Sequence, residues 1–395
     1  MSSLSSLAVV VLCAALVNGQ TSTTAVPTTV TARFRASMIR PETEFLAPIG
    51  GSFAHCKKKL MRASRKTPTN ANAVRPADIK YIASLGDSIT VGFLSYTDAS
   101  EWGSSERNYF GNNWASGGDG SLSNKISIAN ILKNLNPSVT GYSTGKLENE
   151  TYTNLNMAQG SKWSHDLIVQ ASSLVSRMQS KFSASSLAND WKLVNIFVGS
   201  NDMFGECRQF NASTKAQFKS NVKTTLQTLF ASLPRVIVNV IGMWHNDFSM
   251  RAYEVIYPEN TLGCQDGNYN VTGEAFEALY NEALNELETD SSLAAIDKAI
   301  VVQDIFKNMV QPLKKSDGSW HYNFYSTDVF HISNFGQSLI AKAAWNQMMQ
   351  PVGQKSTTEA QFRNDGNPPL ACPDTKCPFI RTPGNSVSCK KYRHH

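Results

Sequence analysis

Short, nearly unbroken apolar runs alternate along this chain with longer stretches in which apolar residues recur every three or four positions. The runs fall near residues 80–85, 192–198, 235–241 and 299–303, joined by a short strand-like stretch near 153–158 that leads to Gly160. Such runs are too short for helices and read as strands buried on both faces. The periodic stretches, near 124–134, 164–181, 213–231, 272–289 and 333–349, read as helices. In 213–231, Ala216, Val222, Leu226, Leu229 and Phe230 form an apolar stripe opposite a Lys-bearing face. Strand and helix alternate, so the pattern predicts an α/β domain with a parallel sheet. No internal repeat is present.

The flanks break the pattern. Leu7 to Val17 is almost wholly apolar and ends in Val17-Asn-Gly19. Residues 1–19 therefore read as a secretory signal, too short to span a bilayer. Residues 20–72 are rich in Thr, Ser and Pro and read as a linker or pro-region. The alternating domain is expected over 73–352, followed by a disulfide-held tail over 353–395. The polar end, Cys389 to His395, does not have the form of a lipid-anchor signal. Between them, 98–122 is a long Gly-, Ser- and Asn-rich loop. Its Trp102, Tyr109, Phe110 and Trp114 either line an acyl pocket or pack the loop.

Composition is ordinary for a globular protein, 41% apolar and 17% charged. Net charge is +6, but residues 21–80 hold +8 and 353–395 hold +4, leaving 81–352 at −6. An acidic core with basic flanks does not fit a phosphate-tracking groove, so no nucleic acid is expected as partner. The cluster Lys57-Lys58-Lys59 through Arg62, Arg65 and Lys66 reads as a solvated arm or as a transient contact with an anionic membrane surface.

Candidate chemistry sits where runs end. Tyr81 to Leu85 ends in Gly86-Asp87-Ser88, which reads as strand, tight turn and first helical turn. Open α/β sheets bind ligands at such strand ends, and a helix start favours negative charge. A serine there needs a base and oxyanion donors. Asp328 and His331, three residues apart ahead of a helix capped by Ser333, supply a base and its orienter, unless they merely cap a surface turn. Asn201, just past the run that ends in Gly199, carries an amide able to donate to an oxyanion, unless Gly199 to Asp202 is only a polar turn. Gly160 offers an unobstructed backbone N–H, or serves only backbone geometry. The rival Gly141-Tyr-Ser143-Thr-Gly145 matches a nucleophile elbow but lacks the helix that must follow. His245-Asn-Asp247 and His165-Asp166 read as local hydrogen-bonded pairs. No metal-binding His pair and no dinucleotide fingerprint is present, so no metal or cofactor is expected.

The ordered set Gly86-Asp87-Ser88, Gly160, Gly199-x-Asn201-Asp202 and Asp328-x-x-His331 resembles the SGNH/GDSL hydrolase family. Arg75 to Lys80, Trp114 to Leu122, Pro137 to Ser143 and Cys372-Pro-x-x-x-Cys377-Pro-Phe379 resemble its phospholipase B branch. The resemblance covers about residues 73–390. It implies a three-layer α/β/α sandwich around a five-stranded parallel sheet of flavodoxin-like topology. It also implies ester hydrolysis by Ser88, His331 and Asp328, with an oxyanion hole from the Ser88 and Gly160 N–H groups and Asn201. The expected substrate is a phospholipid, a lysophospholipid or another ester. A carbohydrate acetylesterase with the same triad and an inactive secreted binding glycoprotein are the alternatives.

Cys13 would leave with the signal, and six cysteines remain. Fifteen pairings are open; the placement of the segments favours Cys207–Cys264, Cys377–Cys389 and Cys56–Cys372. Cys372 and Cys377 lack a downstream partner pair for zinc. Sequons at Asn149, Asn211 and Asn270 fit a secreted glycoprotein. The oligomeric state is not legible.

Overall fold

A computed structural model of the chain describes residues 46–96, 107–206, 214–245, 269–307, 309, 314, 318, 321–356, 362 and 369–393. Four apolar runs become strands: β1 (Ile79–Gly86), β2 (Trp191–Phe197), β3 (Val236–Ile241) and β4 (Lys298–Gln303). They are parallel and ordered β1-β2-β3-β4. β2 and β3 are buried at every residue, which is why they read as continuous apolar runs.

The expected fifth strand at 153–158 is not formed. A short helix ends at Thr153, and Asn154 turns the chain with φ 49°. The outer edge of β1 is instead completed in pieces. Ile82 N–H donates to Thr140 O (2.9 Å) and Thr140 N–H to Lys80 O (2.9 Å). Further along, Ser84 N–H donates to Leu155 O (3.2 Å), and Met157 N–H to Ser84 O (2.8 Å). Counting this broken edge as a strand restores the 2-1-3-4-5 order of flavodoxin-like sheets.

The helices that matter for the site are α1 (Ser88–Val91), α2 (Ile128–Leu135), α3 (Leu167–Lys181), α4 (Ser200–Glu206), α5 (Thr214–Ser232), α6 (Tyr269–Glu288) and α7 (Asn334–Met348). α3, α5 and α6 pack side by side, and α2 packs with α7, giving three layers. On α5 the buried stripe is Phe218, Val222, Leu226 and Leu229, with Ala216 exposed. The expected stripe was therefore right in its centre and wrong at its N-terminal end.

Two polar features fix the layout. Ser84, Asn195, Asn239 and Gln303 sit fully buried in the four strands. Asn239 Nδ2 donates to Asn195 Oδ1 (2.8 Å), and Gln303 Nε2 to Asn239 Oδ1 (2.9 Å). A slip in register would leave these buried amides unpaired, at about 1–3 kcal/mol each. The second feature is α7, buried at all of its positions. Its polar side chains bind the backbones of neighbouring loops and of α1. Asn334 donates to Leu46 O (2.6 Å), Gln337 to Ile89 O (3.1 Å) and Gln347 to Ser356 O (2.7 Å).

Part of the expected linker packs onto this domain. Leu60 is buried, Gly51 N–H donates to Leu122 O (2.7 Å), and Trp191 Nε1–H donates to Pro68 O (2.8 Å). Cys56 is bonded to Cys372 and Cys377 to Cys389. The expected partners Cys207 and Cys264 lie outside the described residues, as does Asn211. Asn149 is exposed and caps the short helix at 150–153.

Candidate active site

β1 delivers its last residue, Gly86, into a crowded turn. Its φ is 150°, and a Cβ there would lie 2.3 Å from Phe197 O, so no other residue fits. The Gly86 peptide is gripped from both sides by buried Gln170 of α3. Gly86 N–H donates to Oε1 (2.8 Å), and Nε2 donates to Gly86 O (2.9 Å). Asp87 then caps α1, its Oδ1 accepting from Ile89 N–H (2.9 Å). Ser88 opens that helix, and among the described residues its N–H has no hydrogen-bond partner.

The candidate base arrives from the other end of the chain. Ser326 N–H donates to His331 O (2.6 Å) and Val329 N–H to Ser326 O (3.0 Å), closing 326–331 into a tight loop. Buried Val329 sits at its tip with φ 57°, a strained conformation for a β-branched residue. Ser326 Oγ donates to Leu94 O (2.5 Å), pinning the loop to the segment that follows α1. His331 is thereby placed with Nε2 2.9 Å from Ser88 Oγ and Nδ1 2.5 Å from Asp328 Oδ2. Asp328 Oδ1 accepts from the N–H groups of Phe330 (3.0 Å) and His331 (2.8 Å). The rings of Phe93 and Phe330 stand edge-on to the imidazole, with centroids 4.7 and 4.9 Å away.

The electrostatics divide the nearby carboxyls. Burial alone would raise Asp328, but the His331 imidazole and the two backbone N–H groups outweigh it and hold the carboxyl below its ordinary range. Asp87 goes the other way: burial pushes it up to about 7, against the Ile89 N–H and His331. Burial also raises Asp202, more than its Ser164 hydrogen bonds lower it.

Gly160 and Asn201 sit past the ends of the neighbouring strands. Gln159 N–H donates to Gly86 O (3.2 Å), which brings Gly160 beside the end of β1. Gly160 is exposed, open space surrounds its Cβ position, and its N–H has no partner among the described residues. Asn201, in α4, donates from Nδ2 to Lys162 O (2.9 Å). That carbonyl requires an NH₂ facing it, so the orientation of the amide is settled and its second N–H stays free to donate. Asp202 accepts from Ser164 N–H (2.9 Å) and from the Ser164 hydroxyl. Asn221 donates to the same hydroxyl (2.9 Å). Consecutive residues 201 and 202 thus lace α4 to the loop that carries Gly160.

The remaining candidates stay apart from this cluster. Ser143 is fully buried, donates to Phe110 O (2.7 Å) and has no His partner. His165 lies 3.7 Å from Asp166 in a surface turn. Tyr109, Phe110 and Trp114 are buried rather than facing an open pocket, and Trp102 lies outside the described residues. Their loop is built on Asn113, whose Oδ1 accepts from the N–H groups of Ala115, Ser116 and Gly117 (2.9, 2.8 and 3.2 Å). Gln170 and Gln337 have no counterpart in the sequence motifs, and Asp87 and Asp202 stand in those motifs without the capping and lacing roles they take here. Only Asp87, a good N-cap residue ahead of an apolar stretch, had a local signal. Among the described residues, the one group of side chains with metal-ligand spacing, His55, Cys56 and Cys372, includes a disulfide.

A family model described as GDSL-like Lipase/Acylhydrolase matches residues 82–344. Phospholipase B1, membrane-associated, of Mus musculus is 31% identical over 366 residues, covering 89% of this chain and 24% of its own length. The Homo sapiens protein of the same name is 29% identical over 351 residues, covering 85% and 24%. The chain thus spans about a quarter of the length of these relatives. A carbohydrate esterase family 3 structure from Talaromyces cellulolyticus aligns over 67% of this chain and 94% of its own, at 14% identity. Its TM-score of 0.31 is too low to carry an argument.

Proposed function

We propose that this chain, which belongs to the GDSL-like lipase/acylhydrolase family and is a carboxylic ester hydrolase, cleaves the acyl esters of phospholipids or lysophospholipids through Ser88, His331 and Asp328. The observation that carries the mechanism is the unbroken chain from Asp328 through His331 to Ser88 Oγ. His331 Nε2 takes the Ser88 proton as Oγ attacks the ester carbonyl. Asp328 holds Nδ1–H and stabilises the imidazolium that forms. The tetrahedral oxyanion is received by the Ser88 and Gly160 N–H groups and the free N–H of Asn201. His331 then protonates the departing alcohol. Water, deprotonated by His331, releases the acid from the acyl-enzyme. Side chains and backbone N–H groups of this chain, with one water, supply each of these steps.

The phospholipid reading rests on the names of the relatives. Secretion is supported by the apolar segment 7–17, the exposed sequon at Asn149 and the two disulfides. Among the described residues, no helix is long and apolar enough to cross a membrane.

The test is fluorophosphonate labelling with peptide mapping, followed by hydrolysis of a series of acyl esters. Label on Ser88, lost in Ser88→Ala together with turnover, supports the mechanism. Unlabelled protein or an active Ser88→Ala variant overturns it. A long-chain optimum supports the lipid substrate, whereas an acetyl optimum replaces it with acetylated carbohydrate.

A further inference from the structure

The end of the sheet opposite Ser88 is strongly cationic. Lys57, Lys58, Lys59, Arg62, Arg65 and Lys66 are all exposed. Far from forming a loose arm, their segment is tied down at several points. Cys56 is bonded to Cys372, Leu60 is buried, and the Arg75 guanidinium donates to Lys59 O and Arg62 O (both 3.3 Å). The nearby carboxylate is already committed, since Asp78 accepts from Ser64 N–H (2.7 Å), Ser64 Oγ (2.8 Å) and Arg75 N–H (2.8 Å).

Among the described residues, none of these six cations forms an ion pair. On α5 the arrangement is the reverse. Lys215 pairs with Glu282 and Glu286, Lys219 with Glu286, and Lys223 with Asp290. A second set of exposed cations, Lys376, Lys390, Lys391 and Arg393, flanks Cys377, Cys389 and Tyr392, which cluster with Ala73 on the same approach to β1. Asp374 is its acidic neighbour, with Oδ1 turned onto the Lys376 and Cys377 N–H groups (2.7 and 2.8 Å).

A rigid set of unpaired cations attracts a polyanion, and four observations select which one. The face lies at the N-terminal end of β1, roughly 25 Å from Ser88 at about 3.3 Å per residue, so a bilayer held there would lie away from the catalytic serine. Leu60 is buried and 57–66 presents no exposed large apolar side chain, so this stretch would not insert into lipid. The same stretch has no aromatic residue on which a base could stack. The two disulfides fit the secreted state proposed above, and outside the cell a Lys/Arg-rich stretch meets sulfated polysaccharide rather than nucleic acid. We propose that this cationic face binds a sulfated polysaccharide, retaining the enzyme on it while the active site at the other end stays open.

The test uses the full chain and heparin as probe. One variant replaces the six residues 57–59, 62, 65 and 66 with Gln. A control replaces Lys215, Lys219 and Lys223 with Gln. Wild type should bind heparin in a salt-dependent way, the six-site variant at least about tenfold more weakly, and the control within about twofold. Turnover of a soluble ester should be unchanged in the six-site variant, and Ser88→Ala should bind heparin like wild type, which separates this reading from the catalytic one. Equal heparin affinity in wild type and the six-site variant overturns the proposal. So does tighter six-site-dependent binding to phosphatidylserine vesicles or to duplex DNA than to heparin.

Discussion

Replacing Asp328 with Asn changes one atom and should cost almost all of the turnover. The side chain faces two masters. Oδ1 accepts from the N–H groups of Phe330 and His331, and Oδ2 accepts from His331 Nδ1. An Asn has one oxygen and one NH₂ to meet three donors. With its NH₂ toward the backbone, two N–H donors would face a donor in a buried loop, at about 1–3 kcal/mol for each group. With its NH₂ toward the imidazole, only the histidine must adapt, by moving its proton to Nε2. That tautomer points N–H at Ser88 Oγ and cannot take its proton. The loss of turnover is then about 10⁴-fold, the size seen when a triad histidine is held in the wrong tautomer. The carboxylate is also held below its ordinary range. A lowered native pKa stabilises the fold above the unfolded value of about 3.8 and is lost as pH falls through the native one, so Asp328→Asn should also be less stable at neutral pH. The assay is turnover of a soluble ester, normalised by active-site titration, for Asp328→Asn and Asp328→Ala. Asn should be no better than Ala despite its shape. An Asn variant within about tenfold of wild type would refute the tautomer argument.

Three further outcomes are expected. Gln170→Ala orphans the Gly86 N–H and should lower stability by about 1–3 kcal/mol in urea unfolding, with reduced turnover; unchanged stability would mean that water replaces the amide. Burial raises Asp87 to about 7, so the folded state holds its proton between about pH 4 and 7 and loses stability as pH rises through that window. Asp87→Asn should therefore gain on wild type in urea unfolding between pH 5 and 8, and parallel curves would show that Asp87 does not titrate there. Cys56→Ser with Cys372→Ser should cost about 2–5 kcal/mol, read as a lower Tm that added reductant does not lower further through this bond.

What could be read in advance divides by the range over which residues interact. Four strands were legible because a strand buried on both faces must be almost wholly apolar, as 193–197 and 236–241 are but for the paired amides Asn195 and Asn239. The fifth failed because 153–158 is a short stretch interrupted by Asn154 and Asn156 and turned at Asn154 with φ 49°, so only Leu155 and Met157 reach the edge of β1. Ser88 and the Asp328–His331 pair each lie within a few residues of a strand end or helix cap, so local pattern located them. Gln170 and Gln337 act on backbone atoms 84 and 248 residues away, and an isolated amide within a helix carries no local sign of that. The aromatic loop could be read either way because burial, not composition, decides whether Tyr109, Phe110 and Trp114 pack or line a pocket. Asn113, whose side chain orders that loop, looks like any other polar turn residue.

The enclosed helix α7 has a mechanical consequence. Its N-terminus continues directly from the His331 loop, and one turn in, Gln337 reaches Ile89 O, the backbone carbonyl next to Ser88, while accepting from Trp114 N–H (2.8 Å). The loop of His331 and the turn of Ser88 are therefore anchored to one helix, although the chain separates the two residues by 243 positions. Drawing them apart would require breaking the buried bond from Gln337 to Ile89 O, at about 1–3 kcal/mol for the group left unpaired.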